Sequence, residues 1–328
     1  MSAFWKRDRS KWLARATERF DALSKNSEEQ LALLQRIESA TKALDAKMRD
    51  LDRRLSLHDH FSLGANSTYL GKGRVLAECA VDNQRFAFLV EAYDLLSAPQ
   101  FIASGHYETR LTDFFLREVK TDSHCIDVGA NFGYFTCLFG RRASSGKVIG
   151  IEPDKRIYEL VRDNIHINGL SGVASAKHAA ASSALSQIKM HRRANRSGNA
   201  GSPPPDEDFL RQLGEPRSEA FSVTAIPLDV LMDPLKDKVD FIRIEAEEAN
   251  PLVLAGAKEI IKSNPQITIV MEWSPNQIRG AGHDCAGFLR HIRAQGLSIF
   301  EIETGEPLSD DALLGLDYSE GIVFRRTA

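Results

Sequence analysis

The sequence lacks the long apolar runs, the cysteine patterns and the strong net charge that mark several common classes of protein. It has no stretch of about 18 uninterrupted apolar residues, so we expect no membrane-spanning helix, and its N-terminus has no apolar signal-peptide core. A net charge of −3 over 328 residues disfavours general nucleic-acid binding. Hydrophobic residues at 43% and charged residues at 27% are typical of a soluble globular protein.

Cysteine is scarce and widely spaced. The chain contains Cys79, Cys125, Cys137 and Cys285, and their spacing matches neither a zinc site nor a redox pair. We therefore expect reduced, structural thiols and a cytoplasmic protein, and we assign no metal site.

Residues 1–57 contain neither glycine nor proline and are rich in helix formers, which predicts one long amphipathic helix. A heptad pattern of mostly apolar positions runs along it, and one helix cannot bury such a stripe alone. We expect a homo-oligomeric coiled coil, with packing onto the catalytic domain as the alternative. Positions a are Phe20, Ser27, Leu34, Thr41, Met48 and Leu55; positions d are Leu23, Gln30, Ile37, Leu44 and Leu51.

The start of this predicted helix is basic and carries tryptophans. Trp5 and Trp12 recur at helical spacing among Lys6, Arg7 and Arg15. Such a helix fits peripheral contact with an anionic membrane surface, such as the inner face of the cell membrane. An ordinary extension of the coiled coil explains it equally well.

Residues 58–122 predict a small β-rich cap, and residues 123–328 predict the catalytic domain. In the cap, segments 73–78 and 85–90 form a hairpin. In the catalytic domain, apolar strands alternate with helical patterns, which predicts an α/β fold with a mostly parallel sheet and helices on both faces. The strand candidates are 124–128, 148–152, 174–179, 241–245, 268–272, 297–302 and 321–325.

Residues 194–217 interrupt this alternation. They are rich in Asn, Ser and Gly, and then carry three prolines and an acidic run at 203–208. Because this composition cannot bury a core, it predicts a mobile insertion. A lid over substrate and a plain disordered insertion both remain open.

Segment 126–136 is the most informative in the chain. An apolar strand ends with Asp127, the backbone turns at Gly129 and Gly133, and a predicted helix follows. The pattern is not the G-x-G-x-x-G of dinucleotide binding, which disfavours an NAD-linked oxidoreductase. An acid two residues before the first glycine suits a ligand with an ammonium group.

A second acid lies one strand later. Glu152 ends the apolar segment 147–152, and Pro153 terminates it. An acid about 20 residues beyond a glycine turn can accept hydrogen bonds from both ribose hydroxyls. Asp127, the two glycines and Glu152 together suggest a nucleoside that carries an amino acid, namely S-adenosylmethionine. The alternative is an ordinary tight turn followed by a surface glutamate.

Several motifs, taken in order, resemble the FkbM-type methyltransferases, and the resemblance covers roughly residues 69–326. It implies a class I, Rossmann-like fold that uses S-adenosylmethionine, usually to methylate a hydroxyl oxygen of sugars or polyketides. The matching segments are 105–108, 127–136, 152–154, Asn164, 168–169, 227–229, 239–245, 253–257 and 270–272.

Roles for the cofactor-binding candidates follow from the turn, the second acid and the resemblance. We expect Asp127 to order the turn and to engage the methionine ammonium, and Glu152 to bind the ribose. By resemblance, Glu108 approaches the methionine end of the cofactor. The remaining candidates are Gly129 and Gly133, for close backbone approach, and Asn131 and Tyr134, for pocket shape.

The catalytic base is expected among three residues. A neutral alcohol is a poor nucleophile, so methyl transfer to a hydroxyl needs a base within hydrogen-bond reach. We name Glu247 and Glu245 first, and then His106. For Glu247 and Glu248, the alternative is that these acids simply begin a helix at 251–263 and stabilise its N-terminal dipole.

One segment departs from the family pattern. The family usually has K-I-D-V-E-G-x-E, whereas residues 243–250 of this chain are R-I-E-A-E-E-A-N. The leading hypothesis is an O-methyltransferase whose acceptor is a small molecule or glycan, specifically a saccharide or similar polyhydroxylated metabolite. The departures favour a second hypothesis, a weakened methyltransferase fold that serves as a coiled-coil assembly subunit. Beyond the N-terminal helix the sequence predicts no surface that combines basic and aromatic residues, so we expect no nucleic-acid partner.

Overall fold

The computed structural model describes residue 42 and residues 66–327, except residues 96, 194, 202–209, 211–215 and 236. The chain divides into two compact units, Met1–His58 and Asp59–Ala328. The predictions of a coiled coil and of membrane contact therefore concern residues outside the described part and stay predictions. The account below concerns the second unit.

Strands and helices alternate through most of this unit. The strands are β1 (Asn66–Gly71), β2 (Arg74–Val81), β3 (Gln84–Glu91), β4 (His124–Val128), β5 (Lys147–Glu152), β6 (Ala174–His178), β7 (Ala180–Ala181), β8 (Ser186–Arg193), β9 (Arg196–Gly201), β10 (Glu219–Ile226), β11 (Phe241–Ile244), β12 (Thr268–Trp273), β13 (Ser298–Glu301) and β14 (Ser319–Arg325). The helices are α1 (Ala98–Ser104), α2 (Thr109–Glu118), α3 (Tyr134–Arg142), α4 (Lys155–Ile167), α5 (Asn250–Ala255), α6 (Lys258–Ser263), α7 (Pro275–Gly280), α8 (Cys285–Ala294) and α9 (Asp310–Gly315). In this described part, none of the helices is long and apolar enough to span a bilayer.

The central sheet contains all seven predicted strands. Its order is β13-β14-β12-β11-β4-β5-β6, and β14 runs antiparallel to both of its neighbours. Strands β4 and β11 are almost entirely buried, as expected for parallel strands covered on both faces. The predicted α/β fold with a mostly parallel sheet is therefore confirmed.

The strand order reverses between β4 and β11. From β4 the chain adds β5 and β6 on one side, and from β11 it adds β12 on the other. Right-handed crossovers then place the connecting helices on opposite faces of the sheet. Ligands of such folds bind beyond the carboxyl ends of the strands at this reversal. Asp127, Glu152 and Glu245 lie at the carboxyl ends of β4, β5 and β11.

The cap is a three-stranded antiparallel sheet. The predicted hairpin is present as β2 and β3, and β1, which was not predicted, adds a third strand. Two amides of the α4 region bind the free edge of β3 as a neighbouring strand would. The Asn164 side chain bonds the N–H of Leu89 at 2.7 Å and its carbonyl at 2.9 Å, and Asn168 bonds those of Ala87 at 3.0 and 2.8 Å.

Two predictions of local structure are wrong. Residues 196–201, expected in a mobile loop, form β9 in a second sheet of order β7-β10-β8-β9. These residues pair with the edge of β8. Composition alone cannot reveal a hydrogen-bond partner on another strand. The helix expected over 251–263 divides into α5 and α6 at Gly256, where a Cβ would lie 2.0 Å from the carbonyl oxygen of Ser182.

Candidate active site

A cavity of about 350 Å³ lies at the carboxyl ends of β4, β5 and β11, a size common for small-molecule sites. Residues of β8 and β9, which belong to the second sheet, also line it. The cavity is lined by Val128, Gly129, Ile151–Pro153, Ala179–Ser182, Ile188, Met190, Gly198, Ala200, Gly201, Glu245–Ala249, Leu252, Ala281 and His283.

The two glycines of the turn have different roles. Gly129 lines the cavity with φ +74°, and a Cβ there would lie 1.9 Å from the Glu245 carbonyl oxygen. Gly133, with φ +88°, precedes α3, and a Cβ there would lie 3.1 Å from a Val161 methyl carbon. Gly129 therefore brings β4 and β11 together at the cavity, whereas Gly133 allows α3 to pack against α4.

Asp127 is fully buried and turned away from the cavity. Its Oδ2 accepts a hydrogen bond from the Thr136 hydroxyl at 2.6 Å, and its Oδ1 accepts one from Arg243 at 3.1 Å. Thr136 lies on α3, so the carboxylate holds the glycine turn between strand and helix. The structure thus places Asp127 in the support of the turn, and the cavity wall begins at Val128 and Gly129.

Glu152 lines the cavity and is held by two backbone groups. Its Oε2 accepts from the N–H of Asn131 at 3.0 Å and its Oε1 from that of Asp154 at 2.9 Å. Burial raises the pKa of Glu152 to about 8, against the lowering effect of these bonds. Asn131 reaches this position with φ +49°, and its buried Oδ1 has no hydrogen-bond partner. A carboxylate fixed in this way keeps further acceptor capacity for a ligand hydroxyl.

Arg243 is a buried cation that connects three acids. Its guanidinium donates to Asp127 at 3.1 Å and to Glu108 at 3.1 Å, and it also pairs with Glu245. It lies over the Phe135 ring at 4.3 Å. A planar guanidinium can serve several carboxylates at fixed angles. Strand β11 is thereby tied to the glycine turn and to the segment before α2.

Glu108 does not line the cavity and has a strained backbone conformation. Its φ is +38°, a region that non-glycine residues rarely occupy. Burial raises the pKa of Glu108 to about 8; the neighbouring Glu245 adds to this rise, and Arg243 opposes it. Tyr107 hydrogen-bonds the Glu108 carboxyl. Glu108 is thus linked to the site through Arg243 and Glu245.

The candidate bases Glu245 and Glu247 both line the cavity, together with Glu248. Glu247 begins the short 3₁₀ turn Glu247–Ala249 with φ +50°. Burial raises the pKa of Glu247 to about 7, and the charges of Glu245 and Glu248 contribute to the rise. Its Oε2 accepts a hydrogen bond from the Gln277 side chain at 2.7 Å.

Tyr134 and His106 do not line the cavity. Tyr134 is 2% exposed and packs among aromatic rings, with centroids 5.6 Å from Phe88 and 5.0 Å from Tyr107. His106 lies in the loop between α1 and α2, where its backbone N–H donates to Ser104 Oγ at 3.1 Å. The structure therefore brings Gly129, Glu152, Glu245 and Glu247 together, and it places Tyr134 and His106 elsewhere.

Sequence reasoning missed four residues of the site and its support. These are Arg243, Gln277, His283, which lines the cavity, and Glu272, which is 8% exposed beside β11. Burial raises the pKa of Glu272 to about 8, and the charges of Glu247 and Glu245 add to it. A cation within an otherwise apolar strand could have signalled Arg243. Gln277 and His283 lie in segments whose polar composition predicts exposure, so no local pattern marks them as residues of the site.

The chain is similar to a known protein family and to individual methyltransferases. A sequence model of the methyltransferase FkbM domain matches residues 127–298. Methyltransferase sdnD of Sordaria araneosa is 25% identical over 200 residues, which is 51% of this chain and 76% of that protein. M. jannaschii TYW2 in complex with AdoMet is 13% identical with a TM-score of 0.41, over 79% of this chain and 90% of that one. The O-methyltransferase from Bacillus cereus in complex with SAH is 16% identical with a TM-score of 0.34, over 64% and 76%.

A mostly parallel α/β sheet with an acid-lined cavity at its strand reversal, together with the match to the family model, defines an S-adenosylmethionine-dependent methyltransferase. Because the domain match extends over more than half of the chain, the protein belongs to the methyltransferase FkbM family. The resemblance and the cofactor predicted from the sequence are both confirmed.

Proposed function

We propose that the protein transfers a methyl group from S-adenosylmethionine to a hydroxyl oxygen of a saccharide or similar polyhydroxylated metabolite. One observation carries this proposal: Glu247, a carboxyl group with a pKa raised to about 7, lines the same cavity as Glu152. A base that ionises near neutral pH combines a useful ionised fraction with basicity.

The described residues fit the cofactor. Glu152 is oriented by two N–H groups, so both of its oxygens face fixed directions and can accept hydrogen bonds from the ribose hydroxyls. Asn131, whose backbone N–H binds Glu152, also has a buried amide oxygen without a hydrogen-bond partner, which offers a further acceptor. When bound, S-adenosylmethionine supplies an electrophilic methyl carbon. The protein must hold the acceptor oxygen in line with it, at roughly 3 Å.

Glu247 is a better base than Glu245 in this arrangement. Glu245 already pairs with the buried guanidinium of Arg243, so its carboxyl group is engaged within the protein. Glu247 instead receives a neutral hydrogen bond from Gln277. We therefore assign removal of the hydroxyl proton to Glu247 and a positioning role to Glu245.

The polar wall of the cavity suits a neutral, hydroxyl-bearing acceptor. Among the described lining residues, the acidic side chains are those of Glu152, Glu245, Glu247 and Glu248. Carboxylates accept hydrogen bonds from hydroxyl groups and repel phosphates. This composition supports a saccharide over a phosphorylated or otherwise anionic acceptor.

The scaffold alternative rests on the departures from the family at Glu248 and Asn250. Asn250 has a structural role, because its amide accepts from the N–H of Ala246 and donates to the carbonyl of Glu272, both at 3.0 Å. Loss of an acid at this position therefore leaves the segment ordered. Glu248 still contributes a carboxylate to the cavity wall.

Calorimetric titration, followed by a methyl-transfer assay, tests the proposal. We expect S-adenosylmethionine to bind the wild type and to bind Glu152→Gln about 10- to 100-fold more weakly, since an amide donor replaces one of the two carboxyl oxygens that accept hydrogen bonds. Glu306→Gln, at an exposed glutamate, is the matched control. Equal affinity in Glu152→Gln would contradict the assigned pocket.

Methyl transfer from labelled cofactor to a panel of saccharides then tests the chemistry. We expect product in the wild type and a loss of at least about 100-fold in Glu247→Gln, the usual contribution of a general base. Full activity in Glu247→Gln would remove the proposed base. Cofactor binding without transfer to any acceptor would favour the scaffold function.

A further inference from the structure

Gln277 connects the candidate base to a separate helix. Helix α7 begins after Ser274, whose side chain caps it by accepting from the N–H of Gln277 at 3.4 Å. Ser274 and Gln277 have the S-x-x-Q spacing of a capping box, in which the glutamine serves the helix end. Here its Nε2 group donates to Glu247 Oε2 at 2.7 Å. One residue therefore contacts both the helix cap and the cavity acid.

We propose that Gln277 is a positioning residue that fixes the orientation of the Glu247 carboxylate and favours its ionised form. This inference rests on the role of base proposed for Glu247. A donor to a carboxylate stabilises the charged form, so the amide keeps the base available at lower pH. The strained φ of +50° at Glu247 is consistent with a side chain held in one direction by its surroundings.

The other charged groups around Glu247 mostly act against its ionisation. Glu245 and Glu248 precede and follow it in the same segment, and their charges raise its pKa. Glu272 faces it from β12 and interacts with it electrostatically. Arg193 on β8 lowers its pKa, as does the hydrogen bond from Gln277. Since Gln277 is uncharged, it supplies a directed bond and leaves the charge of the cavity unchanged.

Carbon-13 NMR titration of protein labelled at the glutamate side-chain carboxyls tests this inference, and it requires no acceptor. The Glu247 signal is assigned by its absence from the spectrum of Glu247→Gln. In Gln277→Met, which removes the donor at similar length, we expect the pKa of Glu247 to rise by about one unit. Asn276→Leu, at the exposed neighbour in α7, is the matched control and should leave it unchanged.

S-adenosylhomocysteine affinity, measured by calorimetry, serves as the check on folding and should stay within about twofold in all variants. If Gln277→Met fails this check, Gln277→Glu retains the shape of the side chain and replaces the donor by a second carboxyl. It should raise the pKa of Glu247 further, because two adjacent carboxyls share a proton. An unchanged pKa in a variant that binds S-adenosylhomocysteine normally would overturn the inference.

The failure of this inference is distinct from that of the proposed function. If Glu247→Gln retains methyl transfer, Glu247 is not the base, even where the NMR titration shows that Gln277 controls its ionisation. If Glu247 is the base, Gln277→Met should shift the acid side of the rate profile to higher pH with the KM for S-adenosylmethionine unchanged. A purely structural role would instead lower the rate by the same factor at every pH.

Discussion

At the scale of single residues, the site is organised by one cation surrounded by acids. Arg243 contacts Asp127, Glu108 and Glu245, so a single guanidinium links the cofactor turn to the candidate catalytic segment. Removing one partner from such a buried group is costly, because the remaining charges lose their compensation. Burial raises the pKa of Glu108 to about 8, and a neutral Glu108 limits the negative charge that Arg243 must balance.

The raised pKa of Glu272 can be tested through the pH dependence of the free energy of unfolding. Its folded-state pKa of about 8 lies above the ordinary 4.5, so the folded state holds a proton that the unfolded state releases. The resulting loss of folded-state stability is absent below about pH 4.5 and grows as the pH rises toward 8. We expect Glu272→Gln to match the wild type at pH 4.5 and to be about 2 kcal/mol more stable at pH 9, as measured by urea unfolding.

Glu306→Gln is again a suitable control, because its exposed side chain should give the same small difference at both pH values. A Glu272→Gln variant whose stability relative to the wild type does not change with pH would contradict a raised pKa at this position.

At the scale of elements, two added sheets complete the methyltransferase core. The cap docks through the amides of Asn164 and Asn168 on the open edge of β3. The sheet containing β8 and β9 lines part of the cavity, and its Gly198 lies against Asn131. Each added sheet therefore contacts the core through a few identifiable groups.

Replacing Asn164 tests the docking of the cap. In Asn164→Leu the backbone groups of Leu89 and the Phe132 carbonyl lose three hydrogen bonds of 2.7–2.9 Å. Buried backbone groups without partners cost about 1–3 kcal/mol each, so we expect a loss of roughly 3 kcal/mol in the free energy of unfolding. Hydrogen exchange should show faster exchange at the Leu89 amide. His166→Leu, at an exposed position of α4, should change neither measurement.

Replacing Gly198 tests the contact between β9 and the cofactor site. In Gly198→Ala the new methyl group would lie 2.8 Å from Asn131 Nδ2, so the Asn131 side chain must move. Such overpacking costs about 1–3 kcal/mol, and we expect roughly tenfold weaker binding of S-adenosylmethionine by calorimetry. The control is Gly172→Ala, which meets nothing within 4 Å. Unchanged binding by Gly198→Ala would mean that β9 does not shape the cofactor site.

At the scale of the whole molecule, the catalytic unit is one of two compact units. The heptad pattern of residues 1–57 still predicts self-association, because a continuous apolar stripe on one helix needs a partner. An oligomer would also multiply any weak contact of the basic N-terminal segment with a membrane surface. Self-association and membrane contact would then belong to the unit Met1–His58, and methyl transfer to the unit Asp59–Ala328.

Deleting residues 1–57 tests the predicted oligomer. We expect light scattering to show the full chain as an oligomer and the shortened chain as a monomer. S-adenosylmethionine affinity should be unchanged, since the described cofactor residues lie at 108 and beyond. The same oligomer in both proteins would refute the coiled-coil hypothesis.

Local sequence patterns determined the strands of the central sheet, the glycine turn and the cofactor class. Apolar runs that end in acids, such as those before Asp127 and Glu152, mark buried parallel strands and their carboxyl ends regardless of the rest of the chain. These features depend on neighbours in the sequence, and therefore periodicity and residue type suffice to find them.

Only the tertiary structure decided which acids reach the cavity and which support it. Asp127 turns to Thr136 and Arg243, Tyr134 joins the aromatic core, and residues 196–201 become a strand because β8 offers a free edge. Gln277 meets Glu247 across 30 positions of sequence. Such contacts depend on how distant elements pack, and the direction of a side chain is fixed by burial and by partners that no local pattern contains.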